Sequence, residues 1–440
     1  MIQGRVYRSI EDQVVSEPEL LDASRPGAGN RSVFEVSLNI VNATVGAGVI
    51  GLPFALKLAG FWCGLALSCF VAGLTYAAIY TLILCGQRTS IYKFADLSEY
   101  AMGRFGYHML NLMVFVQSAG SCISYFILVA DTLPVLLGLY FPQYPHLADR
   151  QLITVLVSVI VIFPLNLFRS IGALAHWSAF SVLLLPVMII SVLIRAPAYA
   201  PQHQAPLSGI GQDPVAAMGI MSFAFVCSQV AFDNFLTQKN QSVTAWSLTS
   251  AISTMMSWTI SMLFALCGFL SFGNDVSPNI FRDFPVDDNV INVGRLALGL
   301  SMVLTVPMAF YPARDALQKS LGFETADRQP SALQHYSVTV VLFAIFLCFG
   351  VNVRSLGKVY SLVGGLSSSF LAYIIPGFAY IVVFHPEWLK RASSPEMLPL
   401  IGAENQKVYA RPTWWLDVCA VTLVLFGSIV MTFTAISAFQ

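Results

Sequence analysis

Eleven long apolar runs, separated by short polar stretches, dominate this chain. An α-helix needs about 20 such residues to cross about 30 Å of hydrocarbon. The runs lie at approximately Val33–Leu58, Phe61–Cys85, Met109–Tyr140, Leu152–Leu167, Ala173–Ile194, Val215–Leu236, Ser247–Phe272, Val290–Tyr311, Leu333–Val351, Val359–Val383 and Trp414–Phe439. They are continuous rather than alternating, which argues against a transmembrane β-barrel. Only 10% of the residues are charged, against about a quarter in soluble chains. The expected fold is an all-α polytopic membrane protein with eleven transmembrane helices. A soluble enzyme, a disordered chain and a nucleic-acid binder are excluded.

The net charge is zero, so neither an acidic nor a basic partner is expected. The eight cysteines lie in or at the ends of apolar runs, without paired metal or disulfide spacing. They read as small side chains of a membrane core. Residues 1–31 are polar and lack an apolar stretch. They read as a flexible cytosolic tail rather than a signal peptide. With the N-terminus in the cytosol, the cytosolic side collects most of the Lys and Arg, including Arg88, Lys93, Arg104, Lys239, Arg314 and Lys319. That asymmetry is the one the positive-inside rule requires. The loop Gly273–Asn289 on the far side is acidic, with Asp275, Asp283, Asp287 and Asp288.

Segment one reads Asn42-Ala43-Thr44-Val45-Gly46-Ala47-Gly48-Val49-Ile50-Gly51-Leu52-Pro53. In a helix interior glycine costs about 1 kcal/mol and proline about 3 kcal/mol. Unwound backbone at membrane depth is tolerated where it lines a cavity, and its freed amides and carbonyls then hold a ligand. Close helix packing through small residues is the alternative reading. Asn42 and Thr44 at the same depth favour a site. Segment six, with Ser222-Phe223-Ala224-Phe225-Val226-Cys227-Ser228-Gln229, has no glycine or proline at its middle. Its composition alone predicts no break. In segment eight, Pro307 removes a backbone donor beside the Thr305 hydroxyl. Taken alone this favours a kink with Thr305 bonding its own helix. Glu35, Asp131, Asp233 and Arg295 are the charged residues inside segments. Such residues are functional candidates by default. Their depth favours gates or ion-pair anchors for Glu35, Asp131 and Asp233, while Arg295 is placed to reach the acidic loop.

The glycine motif of segment one, Gln117-Ser118-Ala119-Gly120-Ser121-Cys122-Ile123-Ser124-Tyr125 ahead of Asp131, and Met221-Ser222-Phe223-Ala224-Phe225-Val226-Cys227 occur in a set order. Asn279-Ile280-Phe281 with Asp287-Asp288, Leu304-Thr305-Val306-Pro307 with Arg314, and Leu362-Val363-Gly364-Gly365 with Pro376 follow. In this the chain resembles the amino acid/auxin permease family, and within it the sodium-coupled neutral amino acid transporters and their vacuolar relatives. The resemblance implies a leucine-transporter-like fold of two inverted repeats of five helices, 32–195 and 214–384, plus an extra helix 414–439. It makes segments one and six equivalent, and it implies amino acid transport coupled to sodium or protons. By similarity Asn42 and Thr305 belong to the sodium site. Relatives often carry a histidine after the Phe-Val-Cys of segment six, where this chain has Ser228-Gln229-Val230.

On that basis the substrate α-carboxylate is expected at the amides of Gly46, Ala47 and Gly48, at the positive end of a half-helix. The α-ammonium is expected at carbonyls around Phe223, Ala224 and Phe225. Tyr125, Phe223 and Phe225 shape the side-chain pocket or pack as core. No charged residue sits in either break, which favours a neutral substrate. Sodium is expected between Asn42 and Val45 of segment one and Met302 and Thr305 of segment eight. A proton-coupled exporter of a vacuole or lysosome and an amino acid sensor of the same fold are the alternatives. A channel lacks its ring of charges, and an intramembrane enzyme lacks paired catalytic groups. No cofactor or metal is expected, the protein is read as a monomer, and its membrane is the plasma membrane or that of a vacuole or lysosome.

Overall fold

The computed structural model describes residues 26–27, 29–169, 175–203, 205–323, 329–389 and 413–438. The expected tail therefore lies outside the described residues up to residue 25, as does the end of the extra helix at residue 439. Among the described residues there is no strand beyond an isolated bridge between Arg31 and Gln238. Among the described residues, nine helices are long and apolar enough to span a bilayer. A tenth span forms if the bent pair Val33–Thr44 and Ala47–Ala59 is counted as one. The helix Arg150–Asn166 is apolar but shorter than the others. The chain is an all-helical integral membrane protein of about nine or ten spans.

Local rules explain where the helices start and stop. Ser32 opens segment one with a capping box: its side chain accepts from the Glu35 amide, and Glu35 bonds back to the Ser32 amide at 2.7 Å. Glu35, expected as a gate or ion-pair anchor, is instead a cap, because its carboxylate satisfies a donor that the first turn leaves open. Pro53 does not break segment one. It sits in the first turn of Leu52–Ala59, where the missing N–H has no acceptor to lose. Segment three begins earlier than its hydropathy indicates. A helix runs from Phe94, turns at Gly103 with φ 69°, and continues to Tyr140. Segment eight, Asn289–Ser320, stays helical through Pro307 and Pro312. Its Arg314, counted as a cytosolic loop charge, is buried and donates to the carbonyls of Asn166 at 2.7 Å and Phe168 at 2.9 Å. Arg314 thus closes the C-terminal end of segment four, where carbonyls lack helical partners.

Close backbone contacts hold the centre. A Cβ on Gly48 of segment one would lie 2.8 Å from the Cα of Ala224 in segment six. On Gly51 it would lie 2.7 Å from the Tyr360 ring of segment ten, Leu356–Phe384. Gly364 packs in the same way on the Gly219 carbonyl, and Gly120 of segment three on Val363. Lipid gives helices no hydrophobic reason to associate, so small residues that permit close van der Waals approach decide which helices meet.

At one end of segment ten, His385 Nε2 lies 2.8 Å from Asp417 and Nδ1 3.1 Å from Glu387. Burial opposes the charged ring, but the two carboxylates outweigh it and raise the His385 pKa above its ordinary value. A raised histidine pKa stabilises the fold at pH below the unfolded value, about 6.5. That contribution is lost as pH rises through the folded value. The melting temperature of Asp417→Asn is therefore expected below that of the parent at pH 6. The gap should narrow towards pH 9, and an equal gap at both pH values contradicts the pairing.

Candidate functional site

The helix Val33–Thr44 ends at Val45, whose φ and ψ of −79° and 82° are not helical. The chain resumes as a 3-10 turn at Ala47–Gly51 and then as Leu52–Ala59, with a bend of 53° across the break. The Gly46 amide donates to the Thr44 carbonyl at 3.0 Å. Gly46 is therefore removed from the expected set of open donors. The amides of Ala47 and Gly48 have no hydrogen-bond acceptor among the described residues. They head a continuous helical stretch, where unpaired N–H groups and the helix dipole both favour an anion.

Segment six is broken too, although its composition does not announce it. The helix Pro214–Phe225 stops at Val226, and helical geometry returns at Ser228–Val230 and Ala231–Thr237. No hydrogen bond among the described residues reaches the carbonyls of Phe223, Ala224 or Phe225. Carbonyls at a helix C-terminus carry partial negative charge and favour a cation. The Ser228 hydroxyl, just past the break, is buried and has no partner among the described residues. The contact of Gly48 with Ala224 brings the stretch of segment one that carries the open amides up against the stretch of segment six that carries the open carbonyls. Donors for an anion and acceptors for a cation thus adjoin within the membrane-spanning part of the fold.

Phe223, Ala224 and Phe225 are all buried. Phe223 stacks on Tyr360 at 4.8 Å between ring centroids. Tyr360 escaped sequence reasoning. Its hydroxyl donates to the Ala47 carbonyl at 2.8 Å, so segment ten pins the turn that begins at the break. A tyrosine inside an apolar run needs a partner for its hydroxyl, and this was the available signal. Tyr125 is half-buried on segment three, within electrostatic range of Tyr360. Gln117 of segment three, which opens a motif of the resemblance but was given no role, accepts through its side-chain oxygen from Ser367 at 2.8 Å and Ser368 at 2.7 Å.

The expected sodium ligands are less closely gathered. Val45 and Met302 are buried, Asn42 is exposed, and Thr305 is half-buried. The Thr305 hydroxyl bonds to the Ser301 carbonyl at 2.7 Å and to Ser181 of segment five at 2.6 Å. Ser181 was not foreseen. Among the described residues no hydrogen bond joins Asn42 or Val45 to Met302 or Thr305. Asp131 forms an ion pair with Arg150 at 3.4 Å and accepts from Asn279 at 3.3 Å. Asp233 is exposed and makes no ion pair or side-chain hydrogen bond among the described residues. Arg295 reaches the acidic loop through main-chain carbonyls of Phe281, Phe284 and Pro285, not through its carboxylates.

A family described as Transmembrane amino acid transporter protein matches residues 29–403. The chain belongs to this family. Vacuolar amino acid transporter 2 of Saccharomyces cerevisiae is 29% identical over 416 residues, covering 90% of this chain and 85% of its own. Sodium-coupled neutral amino acid transporter 7 of Xenopus laevis is 27% identical over 383 residues, covering 84% of each. Two solved structures share the fold at low identity. A Na+-coupled sialic acid symporter, in a substrate-bound outward-open state, aligns with TM-score 0.51 at 13% identity over 94% of this chain and 92% of its own. MhsT in complex with L-phenylalanine aligns with TM-score 0.53 at 12% identity over 94% of this chain and 100% of its own. The relatives are named as transporters, so this transmembrane amino acid transporter belongs to a non-enzymatic family.

Proposed function

We propose that this transporter carries small neutral amino acids by alternating access, with sodium as the coupling ion. The observation that carries the reading is the apposition of the two breaks. Ala47 and Gly48 present amides to the carboxylate of a zwitterion, and Phe223, Ala224 and Phe225 present carbonyls to its ammonium. A site of neutral dipoles matches a substrate without net charge and leaves no buried charge unpaired when empty. The names of the Xenopus laevis relative and of the sialic acid symporter support sodium. An inside-negative potential contributes about 2.3 kcal/mol per charge per 100 mV, enough to concentrate an electroneutral substrate through its ion.

In this reading the segments make eleven spans, arranged as inverted repeats 32–195 and 214–384 with an extra helix 414–439. The tail faces the cytosol, and the protein works as a monomer in the plasma membrane or that of a vacuole or lysosome. Asn42, Val45, Met302 and Thr305 hold the sodium. Proton coupling in a vacuolar or lysosomal membrane is the second reading. It is favoured by the Saccharomyces cerevisiae relative and by Asp233, an uncommitted acid just past the second break.

Counterflow in proteoliposomes with imposed sodium or pH gradients separates these readings. Thr305→Ala is expected to weaken the sodium response by on the order of tenfold, the loss of one hydrogen-bonding oxygen worth about 1.5 kcal/mol. A sodium response in the parent that Thr305→Ala leaves intact removes the proposed ligand set. A response to pH alone that Asp233→Asn abolishes establishes the second reading. Binding without flux marks a sensor.

A further inference from the structure

On the far side, residues from five separate parts of the chain line a cavity of about 390 Å³. Asp131 of segment three, Arg150 at the start of segment four, Phe281 and Arg282 of the acidic loop, Arg295 of segment eight and Arg354 before segment ten line it. Four guanidinium groups thus face one carboxylate. That carboxylate is already engaged by Arg150 and Asn279. Arg295 is buried, and its donors are consumed by carbonyls and by Asn292.

The other three arginines have capacity left. Arg150 gives Nη1 to the Val351 carbonyl at 2.9 Å, but its Nη2 is buried without a hydrogen-bond partner among the described residues. Arg282 and Arg354 are exposed and make no ion pair or side-chain hydrogen bond among the described residues. The loop acids pair directly with neither Arg282 nor Arg354 among the described residues, although Asp283 lies within electrostatic reach of Arg282. Asp283 accepts from the Ser277 amide at 2.9 Å, and Asp288 pairs with Arg195 at 2.7 Å. A loop that reads as acidic therefore turns a basic face to the cavity.

We propose that this cavity is a carboxylate-binding site, occupied by the transported amino acid before it reaches the broken segments. The site rests on the amino acid reading given above. Guanidinium groups present planar pairs of N–H donors that match a carboxylate. A concave surface with an excess of one sign of charge raises the local concentration of the counter-ion it attracts. The ammonium of the ligand stays towards water, since Asp131 has its partners. Arg282 and Arg354 are the capturing residues, and the buried Nη2 of Arg150 marks the floor.

Two measurements on the full chain test this. The first is transport by Arg282→Gln with Arg354→Gln, both exposed positions at which folding is not at stake. The KM for substrate supplied from the far side is expected to rise roughly threefold or more while kcat stays within about twofold, the signature of lost capture. The second is modification of Arg282 and Arg354 by phenylglyoxal in the detergent-solubilised parent, read by mass spectrometry. Acetate is expected to protect both arginines, and chloride at equal concentration is not. An unchanged KM in a transporting protein, absence of protection by acetate, or equal protection by chloride each overturns the proposal. Protection by acetate in a parent that carries no amino acid overturns the transport reading and leaves the carboxylate site standing.

Discussion

Gly46→Val is expected to abolish amino acid flux in a protein that still folds and inserts. A Cβ at Gly46 meets no atom within 4 Å. Its φ and ψ of −126° and −150° lie in the extended region open to any residue. Valine therefore fits the backbone and projects its methyl groups into the space beside the open amides of Ala47 and Gly48. The effect is steric exclusion of the ligand rather than loss of a bond, so flux should fall by about a hundredfold or more, as a methyl group forced into a packed site costs on the order of 3 kcal/mol. Uptake into proteoliposomes, with melting temperature as the control for folding, checks it. Parent-like flux from a folded Gly46→Val protein removes substrate from this break.

Two residues along, Gly48→Ala should behave in the opposite way and damage the fold itself. The new Cβ would stand 2.8 Å from the Cα of Ala224 and 3.3 Å from the Phe223 ring. Backbone is on the receiving side, so no side-chain rotation relieves the contact. Segments one and six must separate, which costs about 1–3 kcal/mol for overpacking and parts the donors from the acceptors. A melting temperature several degrees below the parent, with reduced flux, is the expected result. Both substitutions add only carbon at neighbouring glycines, so their contrast isolates geometry from chemistry. An undisturbed melting temperature for Gly48→Ala would mean that the two breaks are not in contact.

The break in segment one was legible because glycine clusters there, and the open amides were expected at Gly46, Ala47 and Gly48, beside the point where the helix stops. Pro53 attracts attention by its residue type but sits harmlessly in a first turn, while the chain actually unwinds at Val45 and Gly46. The break in segment six was illegible from composition, since Val226 and Cys227 are ordinary residues that leave the helix without a local cause. Thr305 stood out by its place before Pro307, whereas the Ser181 hydroxyl that it meets, 124 residues away in sequence, gave no sign. Asp131 was recognisable as an ion-pair anchor, but its partners Arg150 and Asn279 were not.

What lies in the amino-acid order alone is most of the membrane segments and the weak point within segment one. Lipid offers the backbone no hydrogen bonds, so each segment must satisfy its peptide groups by its own helix, and length and apolarity record that requirement locally. Which polar groups meet was decided by the tertiary structure. A buried hydroxyl, guanidinium or carboxylate needs one partner of the right chemistry and accepts it from any segment that packs alongside. Tyr360 reaching the Ala47 carbonyl, and an acidic loop presenting Arg282 to a cavity, are choices made by packing across hundreds of residues.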